Sequence, residues 1–162
     1  MLLASFSEHS MRTNGTLLLV LVVGIAFHGF ALLSHAQSGE KFRGRLAPVP
    51  ALGISPAAIV GVGSASAELT GRKLTVTGSF EKMASAATTA YLCLGPITGV
   101  RGANVFDLTV SKNGDGTTGM ISGTFDLSPE QVDALKKGRF YIQVHSMGAP
   151  NGHLLGWLLK QS

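Results

Sequence analysis

Through most of the chain apolar and polar residues alternate one by one, the period of a strand with one buried and one wet face. Leu74, Val76, Gly78 and Phe80 alternate with Lys73, Thr75, Thr77 and Ser79. Across a short turn at Gly71, an extended run from Ala58 to Leu69 sets Ala65, Ala67 and Leu69 against Ser64, Ser66 and Glu68. The two runs read as a hairpin. Phe106, Leu108 and Val110 share one side of a strand over Asn104–Val110, and Lys112–Thr117 supplies a turn through Asn113, Gly114, Asp115 and Gly116. Thr118–Phe125 follows as a strand with Ile121, Gly123 and Phe125 opposite Met120, Ser122 and Thr124. Further strands are expected over Lys41–Leu46, with Phe42 and Leu46 on one face, and over Thr89–Leu94. Ala47–Ala57, which holds Pro48, Pro50, Gly53 and Pro56, and Gly95–Gly102 read as loops.

Once in this stretch the period turns helical. Ser128 is placed to cap, with Pro129 at the first helical position, Gln131 at the third, and Val132 and Leu135 giving one apolar side before Gly138 ends the turn. Phe140, Ile142 and Val144 then alternate with Tyr141, Gln143 and His145; Gly148 to Gly152 reverses the chain, and His153–Leu159 is a last strand. Seven or eight short strands with one brief helix predict an all-β domain, an antiparallel immunoglobulin-like or Greek-key β-sandwich, with a small closed barrel as the alternative.

The beginning of the chain follows another pattern. Leu17–Leu33 is almost wholly apolar, comes after Arg12, and runs into Ser34, His35 and Ala36. A charged flank, an apolar centre and small residues at 34 and 36 are the parts of a secretory signal peptide cleaved after Ala36. Met1–Ser10 reads as an N-terminal extension ahead of a second start at Met11. The expected organisation is a signal peptide over 1–36 and one β domain over 37–162, exported to the periplasm or the extracellular space. A retained segment of seventeen residues would be short for a membrane span. Membrane association is expected only through that segment, uncleaved, or through a membrane-protein partner.

Charge narrows the partners. Taking Arg12 and Glu8 from the thirteen cationic and nine acidic residues leaves twelve and eight after residue 36, a balance of +4. No long basic run occurs, and no aromatics are threaded between cations, so nucleic acid is not an expected partner. Cys93 is the only cysteine, which excludes an internal disulfide.

The inventory for catalysis is thin. His145 and His153 are the two histidines after residue 36, and neither a Ser-His-acid nor a Cys-His-acid spacing is recognisable. Phosphate-loop and dinucleotide patterns are absent, and the Asn-Gly-Asp-Gly turn lacks the acidic ligand pattern of a calcium loop. The chain is read as non-catalytic. Two binding functions stand against each other. Leu155, Trp157 and Leu159 share one face of the last strand opposite Leu154, Gly156 and Leu158, so an apolar sheet face could take a protein partner or a second copy. Cys93, His145 and His153 supply one soft sulfur and two imidazoles, with Tyr91 or Met147 as outer participants, a donor set suited to copper or zinc.

Two motifs carry a resemblance. Ser128, Pro129, Glu130, Gln131 and Leu135, followed by Gly138, Tyr141, Val144, His145, Pro150, Gly152 and Gly156, resemble the end of a CHRD domain, the module first described in chordin and found also in secreted bacterial proteins. Tyr91 to Leu108, through Cys93, Gly95, Pro96, Gly99, Gly102, Val105, Phe106 and Leu108, resembles the middle of the same domain. The likeness covers roughly Lys41 to Leu159 and implies no generally assigned activity. Family members usually carry His-x-His where this chain has Tyr91, Leu92 and Cys93, and Glu and Arg where it has His153 and Leu155; His145 is kept. Any polar or metal-binding role implied for those family residues would have to be met differently here.

Overall fold

Alternation along a strand stabilises a domain only if the apolar sides of several strands meet, and antiparallel pairing achieves that throughout. The computed structural model describes residues 39–49 and 59–162. Among these it has strands β1 (Glu40–Pro48), β2 (Val62–Thr70), β3 (Lys73–Glu81), β4 (Ala87–Leu94), β5 (Ala103–Asn113) and β6 (Thr118–Asp126), helix α1 (Pro129–Lys136), and strands β7 (Phe140–Ser146), β8 (Ala149–Trp157) and β9 (Leu159–Lys160). The proposed signal peptide over 1–36, and residues 50–58 of the proline-rich loop, lie outside the described residues. No described helix is long and apolar enough to cross a membrane.

The strands pair in the order β2-β3-β6-β5-β4-β7-β8-β1-β9, and β1 pairs with β2 as well, so the ring closes. Two strands turn the corners. Glu40 to Leu46 of β1 face β2, whereas Ala47 and Pro48 face Leu155 and Leu154 of β8. In β5, Ala103 to Leu108 pair with β4, and Thr109 to Asn113 pair with β6. Each corner strand belongs to both sheets, and the result is a sandwich-like closed barrel. Strands β4, β5 and β6 lie side by side, and β7 returns after α1 to the free side of β4, which is a Greek key. The all-β expectation therefore holds, with its sandwich and barrel versions merged.

The inward sides are those the alternation named. Phe42, Leu46, Leu74, Val76, Phe80, Ile121, Phe140 and Ile142 are each at most 1% exposed and belong to one core. An eight-residue helix would not persist alone, so α1 depends on its ends and its buried side. Ser128 accepts from the Gln131 N–H while the Gln131 side chain accepts from the Ser128 N–H, and Ala134 and Leu135 bury the inner side. At its last turn Lys136 pairs with Glu40 of β1, which also receives Lys160 of β9 at 2.6 Å.

Two features depart from simple alternation. The first is β7, expected to be wet on one side: Tyr141 is 1% exposed and Gln143 6%, so its outer face is covered as well. The second is the reversal expected over Gly148 to Gly152. Ser146 already pairs with Ala149, so the turn is Met147 and Gly148, and β8 begins within the expected turn. The next paired residues are Val144 and Leu154, leaving Pro150 to His153 opposite the single residue His145. This wide bulge passes through Gly152 at φ +126, a conformation that glycine tolerates, and a Cβ there would run into the Gln143 side chain.

Candidate functional site

Of the residues picked out for chemistry, Tyr91, Cys93 and His145 lie on the outer face of the β5-β4-β7-β8 sheet, and the strand registers set that face in rows. Asn104, Cys93, Tyr141 and Trp157 are cross-strand neighbours in one row; Asp107, Tyr91, Gln143 and Leu155 form the next. His145 lies one step farther along β7, where its ring meets Tyr91 edge to face at 5.1 Å between centroids.

The first row is roofed. Trp157 tilts against Tyr141 with 4.7 Å between ring centroids, and a Cβ on Gly95 would strike the indole. The Tyr141 hydroxyl donates to the Gly102 carbonyl and accepts from the Gly102 N–H, each at 3.1 Å. The loop after β4 is fastened at its other side by the Gly95 N–H to the Arg139 carbonyl, the Arg139 Nε–H to the Gly95 carbonyl, and Thr98 to the carbonyls of Lys137 and Gly138. The motif residues Gly95, Pro96 and Gly102 thus belong to a strap that closes over Tyr141. Gly156 serves the opposite face, because a Cβ there would collide with the Arg45 carbonyl of β1.

Cys93 is buried beneath this strap and donates to Asn104 Oδ1 at 3.2 Å. Burial pushes its thiol up to about 11, against a smaller downward pull from the Tyr141 hydroxyl, so it is protonated at neutral pH. His145 is half-buried. Desolvation holds its pKa below the ordinary value, against the Pro150 carbonyl beside it, and its Nε2 is buried without a hydrogen-bond partner. The second row is partly tied down, since Gln143 Nε2 donates to the Asn151 carbonyl at 2.8 Å.

The copper or zinc set of Cys93, His145 and His153 is not assembled. His153 has turned through the bulge into the interior: it is fully buried, 2.7 Å from Ser146 Oγ by Nδ1 and 2.6 Å from the Val60 carbonyl by Nε2. Both imidazole nitrogens are engaged. Cys93 and His145 stay on the outer face, each with different neighbours, and no three His, Cys, Asp or Glu side chains converge among the described residues. The bulge explains the error, since strict alternation would have put His153 on the side of Leu155 and Trp157.

Of the residues expected to form a partner surface, Leu155 and Trp157 lie in β8, whereas Leu159, expected in the same strand, belongs to the separate strand β9 on β1. Leu154 and Leu158 are buried inward, Leu155 and Trp157 are half-buried on the outer side, and Leu159 is 50% exposed. Ile97 and Val100 of the strap, 62% and 46% exposed, were not singled out in the sequence. Two apolar residues in a glycine-rich loop give no periodic signal.

A closed antiparallel β domain with one capped helix and a glycine-strapped outer face is the class these features define. The CHRD domain profile matches residues 46–158, and the chain belongs to the CHRD domain family. No curated protein and no solved structure matches it.

Proposed function

We propose that the chain is an exported, non-catalytic interaction domain that docks a protein partner on the apolar end of its outer sheet face. One observation carries this reading. Ile97, Val100 and Leu159, all about half exposed or more, lie around the half-buried Trp157. The Gly95 Cβ position touches Trp157 and the Ile97 and Val100 carbonyls, and that of Gly138 touches Leu159 and Thr98, which joins strap and last strand in one patch. Apolar side chains grouped in this way are what a partner covers. A buried thiol protonated up to about pH 11 is a poor nucleophile, which favours binding over catalysis. Export rests on the apolar run Leu17–Leu33 and its cleavage signal, and the mature chain recovered outside the cytoplasm should begin at Gln37.

Trp157→Ala is a poor test of the interface, because the indole also supports Tyr141 and its loss would cost about 3–5 kcal/mol of folding stability. Exposed residues separate the two roles. Ile97→Asp with Leu159→Asp should abolish the assembly seen by light scattering, and the cross-links mapped to this patch, while leaving the melting temperature within a few degrees. A monomeric wild type with no cross-link to the patch, or an assembly indifferent to both charges, would overturn the proposal.

A further inference from the structure

The β1-β2-β3-β6 sheet carries a feature on its outer face that is independent of the apolar patch. Alternation turns Lys41, Arg43 and Arg45 of β1 outward in one line, and all three are exposed. Two residues of extended chain separate successive cations, so the steps are about 7 Å and the row is about 14 Å long. Pairing fixes the row from both sides, with Glu40 to Leu46 on β2, Phe42 and Arg43 on β9, and Ala47 and Pro48 on β8. None of the three cations has an ion-pair partner among the described residues. Glu68 is the register partner of Lys41, but its side chain folds over Gly39, where a Cβ would strike it.

Two shallow depressions follow the row along the β1–β2 boundary, one of about 510 Å³ from Lys41 to Arg43 and one of about 450 Å³ from Arg43 to Arg45. Their remaining exposed walls are Ser64, Ser66, Glu68, Thr75, Thr77 and Gln161. Register sets Arg43, Ser66 and Thr77 side by side, so the backbones that carry hydroxyls lie about 5 and 10 Å from that of the central cation.

We infer that this row binds a linear acidic polysaccharide, with its carboxylate or sulfate groups on Lys41, Arg43 and Arg45 and its ring hydroxyls on Ser66, Thr75, Thr77 and Glu68. Three unpaired cations in line suit a polyanion, since a single anion would engage one and leave the others unused. The rest of the lining separates the polyanions. Bases need aromatic faces on which to stack, and Phe42, the one ring in the lining, is 0% exposed. A membrane surface or a protein anchor needs apolar side chains to insert or cover, and Phe42, Ala65 and Ala67 of these depressions are all buried. Polyphosphate and the backbone of duplex DNA offer acceptors alone, which the Glu68 carboxylate repels. A sugar hydroxyl donates to that carboxylate and to the serine and threonine oxygens.

Calorimetric titration of the purified full chain in about 0.15 M salt with polygalacturonate, dextran sulfate, dextran, inorganic polyphosphate and duplex DNA tests the assignment, and the first two separate carboxylate from sulfate recognition. At least one of these two acidic polysaccharides should bind at least about tenfold more tightly than polyphosphate or DNA of matched charge, and dextran should not bind. Arg43→Gln with Arg45→Gln, changes at exposed positions that should leave the melting temperature unmoved, should weaken that binding by about tenfold and flatten its salt dependence. Ser66→Ala with Thr77→Ala should weaken the polysaccharide severalfold and leave polyphosphate unchanged. Equal binding of polyphosphate or DNA would make the row an undiscriminating cationic patch and overturn the inference. Polysaccharide binding that survives loss of both arginines, or no binding at millimolar repeat-unit concentration, overturns it equally.

Discussion

At His153 the interior holds a polar ring whose proton can be located by elimination. A carbonyl can only accept, so the Nε2 facing Val60 carries the hydrogen, Nδ1 is bare, and the Ser146 hydroxyl must donate to it. Ser146 in turn accepts from the Ser85 hydroxyl at 2.9 Å and the Ala149 N–H at 3.1 Å, and Ser85 accepts from the Gly148 N–H. One side chain thereby fixes the crossover after β3, the hairpin turn, and the entry to β2. His153→Ala would leave the Val60 carbonyl and Ser146 unpaired around a cavity and should cost about 2–4 kcal/mol in urea denaturation, whereas a change below about 0.5 kcal/mol would show that the network is not structural. Cys93 makes a kinetic prediction: a thiol-specific reagent at pH 8 should label the native chain only at the rate of unfolding, and fast labelling would mean that the strap opens. Much of this scale was legible in advance. The break that hands Leu159 to β9 was not foreseen, whereas His145 and Trp157 were placed on their faces by alternation, because β7 and the end of β8 are regular. His153 was not, because an irregularity of four residues against one has no signature in residue period, and its glycine reads equally well as a turn.

Among the elements, those with local causes were readable from their own residues. The β2–β3 hairpin turns at Gly71, where φ is +61, and the pairing of Leu69 with Leu74 keeps the apolar side inward, as the alternation on both strands required. Helix α1 carries its signals within Ser128 to Gly138, and Ser128→Ala should lower stability by about 1 kcal/mol, measured by thermal or chemical denaturation. A loss near zero would mean that burial of Ala134 and Leu135 alone holds the helix. What the elements could not tell is which faces would be covered a second time. Tyr141 and Gln143 look like the wet side of β7, and they are buried because a distant segment, Gly95 to Gly102, folds over the first and the β8 bulge folds over the second. Coverage of this kind arises from tertiary contacts and leaves no trace in the alternation of the strand itself.

At the scale of the molecule, Glu40 joins β1 to α1 and β9 through Lys136 and Lys160, and hydrogen bonds from these two lysines hold its carboxylate below the ordinary value of 4.5. A depressed carboxylate contributes stability that is present above the unfolded value and is lost as pH falls through the folded one. His145 has the same sign for a different reason: buried neutral, it takes a proton less readily folded than unfolded, so stability should decline as pH drops below 6.5. Melting curves from pH 7 to 3 should therefore show two declining limbs; Glu40→Gln should make the one near and below 4.5 shallower, since Asp115 and Glu130, held down by Thr117 and Ser128, share it, and His145→Gln should remove the one starting at 6.5, whereas limbs unchanged in these variants would assign the acid sensitivity elsewhere. The closed ring sets an order of events during folding. Phe42 and Arg43 find their β9 partners in Lys160 and Leu159, and β8 must be complete before the gap beside β1 can be filled. Until β8 and β9 have docked, β1 and β7 each expose an unpaired rim able to recruit another chain. Closing the ring therefore waits on the last strands of the domain, and pairings between residues more than a hundred positions apart are the slow ones to form.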